Sequence, residues 1–501
     1  MDIAIFIFLS SGLFLGWSLG ANDAANVFGT AVGSRMIRFS TAAILCSAFV
    51  ILGAVISGAG AAHGLGELGT LNALPGAFMA AFSAALTVYG MTVARLPVST
   101  THAIVGAIIG WNWFSGSLTD MSTLYTIMST WVASPLLAAI FSAMMYKLVL
   151  WFLGKAKLHL LRLDSYTRIG LILAGAFGSY TLGANNIGNV MGVFVGSSPF
   201  TDFTLAGITF TSVDQLFLVG GIAIAVGVAT YSKGVMMTVG DDILPLSPVA
   251  AFVVVVSQSI VLFLFSSIAL EHLLARNGLP TIPLIPVSSS QAVVGAVVGI
   301  GLLHGGKGIR WKPIGNIVSG WVTTPIISSL MCFVMLFFLQ NVFNQTVYNE
   351  VRYQLSEPVL AHLQQEGVPL ADLMPLKGKE IVGGVRFRNE VREVGGGLDS
   401  ARVDKVVEAA KIHDIRIDPA KFTKLDKLYL SSEQVKALEQ LSGRAYRYRW
   451  QLYDALVSLT PEWRYLENNK LNKPFNKKLR QQLDYVYSYF EMPLDAPPAK
   501  Q

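Results

Sequence analysis

The residues best suited to chemistry sit in two short polar motifs, and each motif occurs twice inside apolar sequence. Gly20-Ala21-Asn22-Asp23-Ala24-Ala25-Asn26-Val27-Phe28-Gly29 returns as Gly183-Ala184-Asn185-Asn186-Ile187-Gly188-Asn189-Val190-Met191-Gly192, with six of ten positions identical at an offset of 163. Asn22 and Asn26 are four apart, as are Asn185 and Asn189, so each pair shares one face of a helix. With Asn186 and Asp23 they offer amide and carboxylate oxygens. These are hard ligands that suit an alkali cation, especially if the backbone unwinds beside Gly20 and Gly183. An ionisable residue inside a span is a functional candidate; the competing explanation is interhelical amide hydrogen bonding.

The second motif, Pro97-Val98-Ser99-Thr100-Thr101-His102-Ala103-Ile104-Val105-Gly106, returns as Pro286-Val287-Ser288-Ser289-Ser290-Gln291-Ala292-Val293-Val294-Gly295, again with six of ten positions identical, at an offset of 189. Proline is favoured at the first helical position, and the hydroxyls behind it cap exposed N–H donors. In lipid those donors must be paired. Near mid-membrane they make an anion site, helped by the positive end of the helix dipole. Ser99, Thr100, Thr101, Ser288, Ser289 and Ser290 are its candidate donors. The competing reading has them bonding back to their own helices. His102 is matched by Gln291, and a packing role for it outweighs a proton relay.

Polar clusters repeated in order within apolar segments are the signature of an inverted-repeat transporter. The elements that must carry them are membrane spans of about 20 apolar residues. Such segments are Ile3–Gly33 (interrupted), Thr41–Ala62, Gly76–Ala94, Leu96–Phe114 and Leu124–Leu153, then Ile169–Gly196 (interrupted), Phe203–Thr230, Val249–Leu270, Ile282–Leu303 and Ile314–Leu339. The expected fold is an all-α integral membrane protein with about 10–12 transmembrane segments, some broken or re-entrant. Its expected divisions are repeat 1 over 1–150, repeat 2 over 151–345 and a soluble, mainly helical domain over 346–501. Gly16/Gly20, Gly29/Gly33, Gly106/Gly110, Gly188/Gly192/Gly196 and Gly295/Gly299 read as close helix packing. Trp131–Pro135 and Trp321–Pro325 match as kinked packing helices. Asp214 and Gln215 inside a span are weaker functional candidates.

Composition agrees. Hydrophobic residues are 53% of the chain and charged residues only 14%, against about 25% in a soluble protein. The last 156 residues hold 45 of the 68 charges, so a membrane part precedes a soluble tail. Both parts are mildly basic, and net charge identifies no partner. In loops, Arg35, Arg38 and Arg95 fall on one side, with Glu67 and Asp120 on the other. Lys147, Lys155, Lys157, Arg162 and Arg168, against Asp164 alone, place the linker between halves inside. Lys307, Arg310 and Lys312 follow, as does Lys233, offset by Asp241 and Asp242; the tail then falls outside. Cys46 and Cys332 read as packed thiols, and the first apolar stretch as a retained span. In the tail, helices are expected over Arg402–Lys411, Glu433–Leu456 and Lys477–Phe490, a short hairpin within Ile381–Val394, and a turn at Gly395-Gly396-Gly397. The run Arg444-Ala445-Tyr446-Arg447-Tyr448-Arg449-Trp450 reads as a solvated amphipathic helix, not a nucleic-acid contact. Asp495–Gln501 is expected to be disordered.

At these residues the chain resembles the inorganic phosphate transporter family, the Pit-type permeases. Gly20-Ala21-Asn22-Asp23-Ala24-Ala25-Asn26 with Gly29-Thr30-Ala31-Val32-Gly33-Ser34 is similar to that family's signature. Leu96-Pro97-Val98-Ser99-Thr100-Thr101-His102 is similar to its second motif. The resemblance covers roughly residues 5–340. It implies secondary active uptake of phosphate across the cell (inner) membrane, coupled to sodium ions or protons, by a homodimer; sulfate permeases of the same family make sulfate the alternative. The sequence departs from the pattern at Asn186, usually Asp, and at Gln291, often His. Phosphate keeps a proton that an acceptor can bind, whereas a donor-only site admits sulfate. No nucleophile–base pair, metal-ligand cluster or nucleotide loop points to an enzyme. An oxyanion-sensing receptor with the tail as output is a remote alternative, because the tail shows no signalling motif.

Overall fold

The structure, a computed structural model, describes all residues except 1–2, 67, 70, 94–97, 157–158, 201–202, 206–207, 240–245, 278, 307–308, 426–429, 468, 470–471 and 493–501. The loop charges Glu67, Arg95, Lys157, Asp241, Asp242 and Lys307, the Leu96-Pro97 pair and the terminal Asp495–Gln501 therefore lie outside the described residues. The chain divides into two compact units, one of Met1–Phe114, Thr119–Glu271 and Ile282–Tyr348, the other of Asn349 onward with Ser115–Leu118 and His272–Thr281.

The first unit runs α1 (Ile3–Gly33), α2 (Phe39–Ser57), α3 (Ala59–Gly66), α4 (Leu74–Val93), α5 (Thr100–Ser115) and α6 (Met121–Ala156). It continues with α7 (Leu160–Met191), a hairpin of β1 (Phe203–Leu205) and β2 (Ile208–Phe210), α8 (Ser212–Val239), α9 (Pro248–Ser266), α10 (Ile268–Arg276), α11 (Ser289–Leu303) and α12 (Trp311–Asn341). Among the described residues seven helices are long and apolar enough to cross a membrane: α1, α2, α4, α6, α8, α9 and α12. Exposed apolar stripes mark the lipid-facing side. Val132, Leu136, Ile140, Met144 and Leu148 run along α6, and Val322, Ile326, Leu330 and Val334 along α12. Each repeats at every fourth residue, one face of a helix.

The repeats pack by exchanging partners. Gly20 of α1 lies against the Ile224 backbone of α8, and Gly227 of α8 against Trp17 of α1. Likewise Gly183 of α7 lies against Val50 of α2, and Gly53 of α2 against Tyr180 of α7. Trp17 and Gly20 map onto Tyr180 and Gly183 at the 163-residue offset, and Val50 and Gly53 onto Ile224 and Gly227 at an offset of 174. The second motifs obey the same rule. Gly106 and Gly110 of α5 meet Pro325 and Ser329 of α12, while Gly295 and Gly299 of α11 meet Pro135 and Ala139 of α6. The glycines let backbones touch, as membrane helices require when apolar burial gives no drive between them.

Three expectations for this unit need correction. The segments around Gly20 and Gly183 are not interrupted: α1 and α7 run unbroken through both motifs. Lipid favours a helix that satisfies its own backbone, and those glycines serve close packing instead of unwinding. The breaks fall elsewhere, between α2 and α3, between α9 and α10, and before the short helices α5 and α11. The span expected to begin at Phe203 begins instead at Ser212, because Phe203–Phe210 pair as a hairpin. Asp214 then sits in the first turn of α8, where its Oδ2 accepts from Thr211 N at 3.0 Å and Thr211 Oγ1 at 2.8 Å. That is a helix cap.

The second unit contains β3 (Arg352–Gln354), α13 (Glu357–Gln365), β4 (Glu380–Val382), α14 (Gly384–Val394), α15 (Ser400–Ala410), β5 (Ile415–Arg416), α16 (Ser432–Gln440), β6 (Ala445–Tyr446), α17 (Arg449–Leu459) and α18 (Lys473–Phe490). Tyr353, Leu360, Phe387, Val391 and Val406 form one apolar core, and Ile415, Leu438, Leu452, Trp463, Leu483 and Phe490 another. The hairpin expected within Ile381–Val394 is absent: β4 pairs with β3, and α14 follows it. The helix expected over Glu433–Leu456 is two helices. Gly443, at φ +81°, turns the chain between them, a conformation that needs no Cβ. The basic-aromatic run is consequently strand β6 and the start of α17, with Tyr448 buried in the core.

This unit carries a pH-sensitive contact. His413 is buried, its Nδ1 lies 3.0 Å from Glu491 Oε1, and Lys411 and Arg449 add positive charge nearby. Burial holds the imidazole down at about 4, from an ordinary 6.5, against the pull of Glu491. The unfolded chain therefore binds this proton first as pH falls. The stability is fully present above pH 6.5 and is lost on acidification toward pH 4, by about 2–3 kcal/mol. In the detergent-solubilised full chain, residues 349–501 should become protease-sensitive between pH 7 and 4.5, and His413→Gln should flatten that dependence. Equal pH profiles for both proteins would contradict it.

Candidate functional site

The two hairpin helices begin alike. Before α11, residues 281–288 are non-helical, and Ser288 is the N-cap: its Oγ accepts from Gln291 N at 3.2 Å. Before α5, Ser99 Oγ accepts from His102 N at 3.4 Å. Pro286 is thus not the first helical residue. It lies two residues before the cap, where proline holds the preceding chain extended. Ser99 and Ser288 bond back to their own helices. The other four hydroxyls of the two clusters remain to be placed.

Each repeat's Asn motif reaches the other repeat's hairpin helix. Asn26 Nδ2 donates to Ser289 Oγ at 3.4 Å, and Asn189 Nδ2 donates to Thr101 Oγ1 at 2.9 Å. Asn26 and Asn189 are repeat mates, and their hydroxyl partners differ by one position, since Ser289 matches Thr100 at the 189-residue offset. Ser289 Oγ in turn donates to Asp23 Oδ2 at 2.7 Å, and Asn22 Nδ2 reaches Asp23 Oδ1 at 3.3 Å. Ser290 Oγ lies 3.4 Å from the Val98 carbonyl and 3.0 Å from Ser288 Oγ. The two helix N-termini therefore meet. Asp23 and the six hydroxyl residues are all buried. Asn22, Asp23, Asn26, Asn189, Thr101, Ser288, Ser289 and Ser290 join these contacts, whereas Asp214 and Gln215 bond residues 210–211 at the start of α8.

The symmetry is broken in an informative way. Asn185 clamps the second hairpin: its Nδ2 donates to Val287 O at 2.7 Å, and Val287 N donates to its Oδ1 at 2.9 Å. Its mate Asn22 bonds Asp23 instead. Asn186, mate of Asp23, stays on its own helix, donating to Leu182 O at 3.1 Å and accepting from Asn189 Nδ2 at 2.9 Å. Asn22 and Asn26 are half-buried, whereas Asn185, Asn186 and Asn189 are fully buried. The second repeat's side is the sealed one.

Two further residues complete the surroundings. Gln258 of α9, which no motif singles out, donates its amide to the Asn26 carbonyl at 2.6 Å and is fully buried. His102 is a packing residue in part: its Nδ1 bonds the Trp321 carbonyl at 2.9 Å and its ring lies 3.8 Å from that of Trp131. A carbonyl only accepts, so Nδ1 carries the proton.

The phosphate transporter family profile matches residues 19–332 and 277–371. A protein of Methanocaldococcus jannaschii assigned as a phosphate permease is 28% identical over 336 residues, 67% of this chain and 98% of its own length. The sulfate permease CysP of Bacillus subtilis is also 28% identical, over 334 residues, 66% of this chain and 85% of its own. A solved structure of a sodium-dependent phosphate transporter shares the fold at TM-score 0.54 and 23% identity, covering 68% of this chain and 99% of that one. With paired hairpin helices, exchanged repeats and a profile match over most of its length, the chain is a multi-pass membrane protein belonging to the phosphate transporter family.

Proposed function

We propose that this chain is a secondary active transporter that takes up inorganic phosphate, driven by sodium. The observation that carries the reading is the meeting of two hydroxyl-bearing helix N-termini, one from each repeat, beside the Asp23 carboxylate. Helix N-termini favour anions through their N–H groups and dipole. Thr100 and Thr101 are the proposed substrate donors; Ser289 and Ser290 join them by giving up their bonds to Asp23 and Val98, and Ser99 and Ser288 hold the helix starts in place. Asp23, with Asn22, Asn26 and Asn186, is the proposed cation face. Asn185 and Asn189 reach into the hairpins and couple that face to the anion. The name of the structural neighbour supports sodium, with protons the other coupling ion; a homodimer and the divisions 1–150, 151–345 and 346–501 belong to the same proposal. Sulfate is the second reading, favoured by the similarity to a sulfate permease.

Proteoliposomes containing the full chain test this directly. Labelled phosphate should accumulate under an imposed inward sodium gradient, and a pH gradient alone should drive it at least several-fold less well. Sulfate accumulation without phosphate accumulation would replace the substrate assignment.

A further inference from the structure

Most polar atoms around the hairpin tips are donors or are already engaged. The N–H groups of α5 and α11 donate, as do the free hydroxyls. Both oxygens of Asp23 already accept, one from Ser289 and one from Asn22. Both groups of Asn185 are engaged with Val287. Four acceptors differ: Gln291 Oε1 and His102 Nε2 lie on the hairpin helices themselves, and two more are held by the Asn motifs. Asn189 Oδ1 and Gln258 Oε1 are buried and have no hydrogen-bond partner among the described residues. Their other ends are fixed. Asn189 Nδ2 is held by Thr101 Oγ1 and Asn186 Oδ1, and Gln258 Nε2 by the Asn26 carbonyl. Neither amide can turn over without losing those bonds, so each oxygen is held in place as an acceptor. Thr100 Oγ1, a hydroxyl able to donate, is likewise buried and unpartnered among the described residues.

A buried acceptor without a donor is unfavourable. A bound oxyanion satisfies it only if it still carries a proton. Phosphate near neutral pH does, and sulfate does not. A site with donors alone holds both anions. A site that adds a fixed, unpaired acceptor penalises the fully deprotonated one, because two lone pairs then face each other. Hydrogen bonds link both acceptor side chains to the hairpins where the anion is proposed to bind. Asn189 bonds Thr101 at one hairpin, and Gln258 bonds Asn26, which bonds Ser289 at the other.

We infer that Asn189 Oδ1 and Gln258 Oε1 are specificity-determining acceptors that receive hydrogen bonds from the protonated oxygens of the substrate, selecting phosphate, and arsenate with it, over sulfate. The inference rests on the phosphate reading above and adds the means of discrimination. Gln258 has no equivalent in the first repeat. The offset of 174 that relates Ser83 to Ser257 places Ala84 opposite it. The second acceptor is therefore supplied by one half only.

The test is labelled phosphate uptake, with sulfate and arsenate as competitors, in proteoliposomes holding the full chain at a fixed sodium gradient. Wild type should be inhibited by arsenate far more strongly than by sulfate. Asn189→Ala and Gln258→Met should each lower the phosphate-over-sulfate preference by about tenfold, the effect of one lost hydrogen bond. In Gln258→Met, whose side chain is outside the proposed cation face, the sodium concentration for half-maximal uptake should not move. Gln258→Glu, which keeps an acceptor oxygen, should retain the preference, and it serves if Asn189→Ala fails to insert. Equal weakening of phosphate and sulfate in Asn189→Ala and Gln258→Met, or a change confined to sodium dependence, overturns the assignment. Phosphate uptake by wild type with unaltered selectivity in these variants overturns the acceptor role and leaves the transport reading standing. A wild type that carries sulfate in preference overturns both.

Discussion

Asp23→Asn should reduce sodium-driven phosphate uptake by about a hundredfold at limiting sodium. The carboxylate is buried, and it is held by Ser289 Oγ at 2.7 Å and Asn22 Nδ2 at 3.3 Å. An amide of nearly the same shape preserves packing and can still accept from Ser289. What disappears is the negative charge that offsets a monovalent cation where water screens poorly. The loss should therefore fall on cation dependence more than on insertion or folding. The natural control is the repeat mate. Asn186 already carries the amide and bonds within its own helix through Leu182. Asn186→Asp should raise the sodium dependence or the charge moved per anion. Initial uptake rates across a sodium series, with membrane current recorded in parallel, measure both variants. Normal sodium dependence in Asp23→Asn would make the carboxylate structural.

Gly20→Ala and Gly183→Ala should each destabilise the membrane unit by about 2–4 kcal/mol. A Cβ at Gly20 would overlap the Ile224 carbonyl, and one at Gly183 the Val50 carbonyl. Both obstacles are backbone, which cannot swing aside, so α1 and α8, or α7 and α2, must separate along their contact. That lost packing is the main force holding helices together in lipid. Gly154→Ala is the comparison: a Cβ there meets nothing within 4 Å, and alanine favours the helix by about 1 kcal/mol. Thermal midpoints in detergent should fall for the first two variants and hold or rise for the third. Unchanged midpoints at Gly20 and Gly183 would show that the helices unwind there after all.

The polar motifs, their order and the two offsets were legible in the chain itself. Asn, Asp and Ser inside apolar segments are costly enough in lipid that they stand out against their surroundings, and duplication marked which of them act together. The charge shift near residue 345 likewise marked the tail. The helical continuity of α1 and α7 was not legible. A glycine beside an asparagine reads equally as a hinge or as a packing notch, and only the Ile224 and Val50 backbones decide between them. The hydroxyl clusters were found but not sorted. Ser99 and Ser288 became caps because the helices start three residues later than their prolines suggested, and that start depends on tertiary contacts such as the Asn185 clamp on Val287. Gln258 escaped notice altogether, since one amide beside Ser257 in an apolar helix looks like ordinary interhelical glue. Sequence alone determined which side chains were too polar to be in lipid without a purpose. Tertiary structure decided which of them face each other, because the contacts of Asn26, Asn189 and Asp23 join the two repeats, and distance in space between residues more than 80 apart is set by packing and not by local pattern.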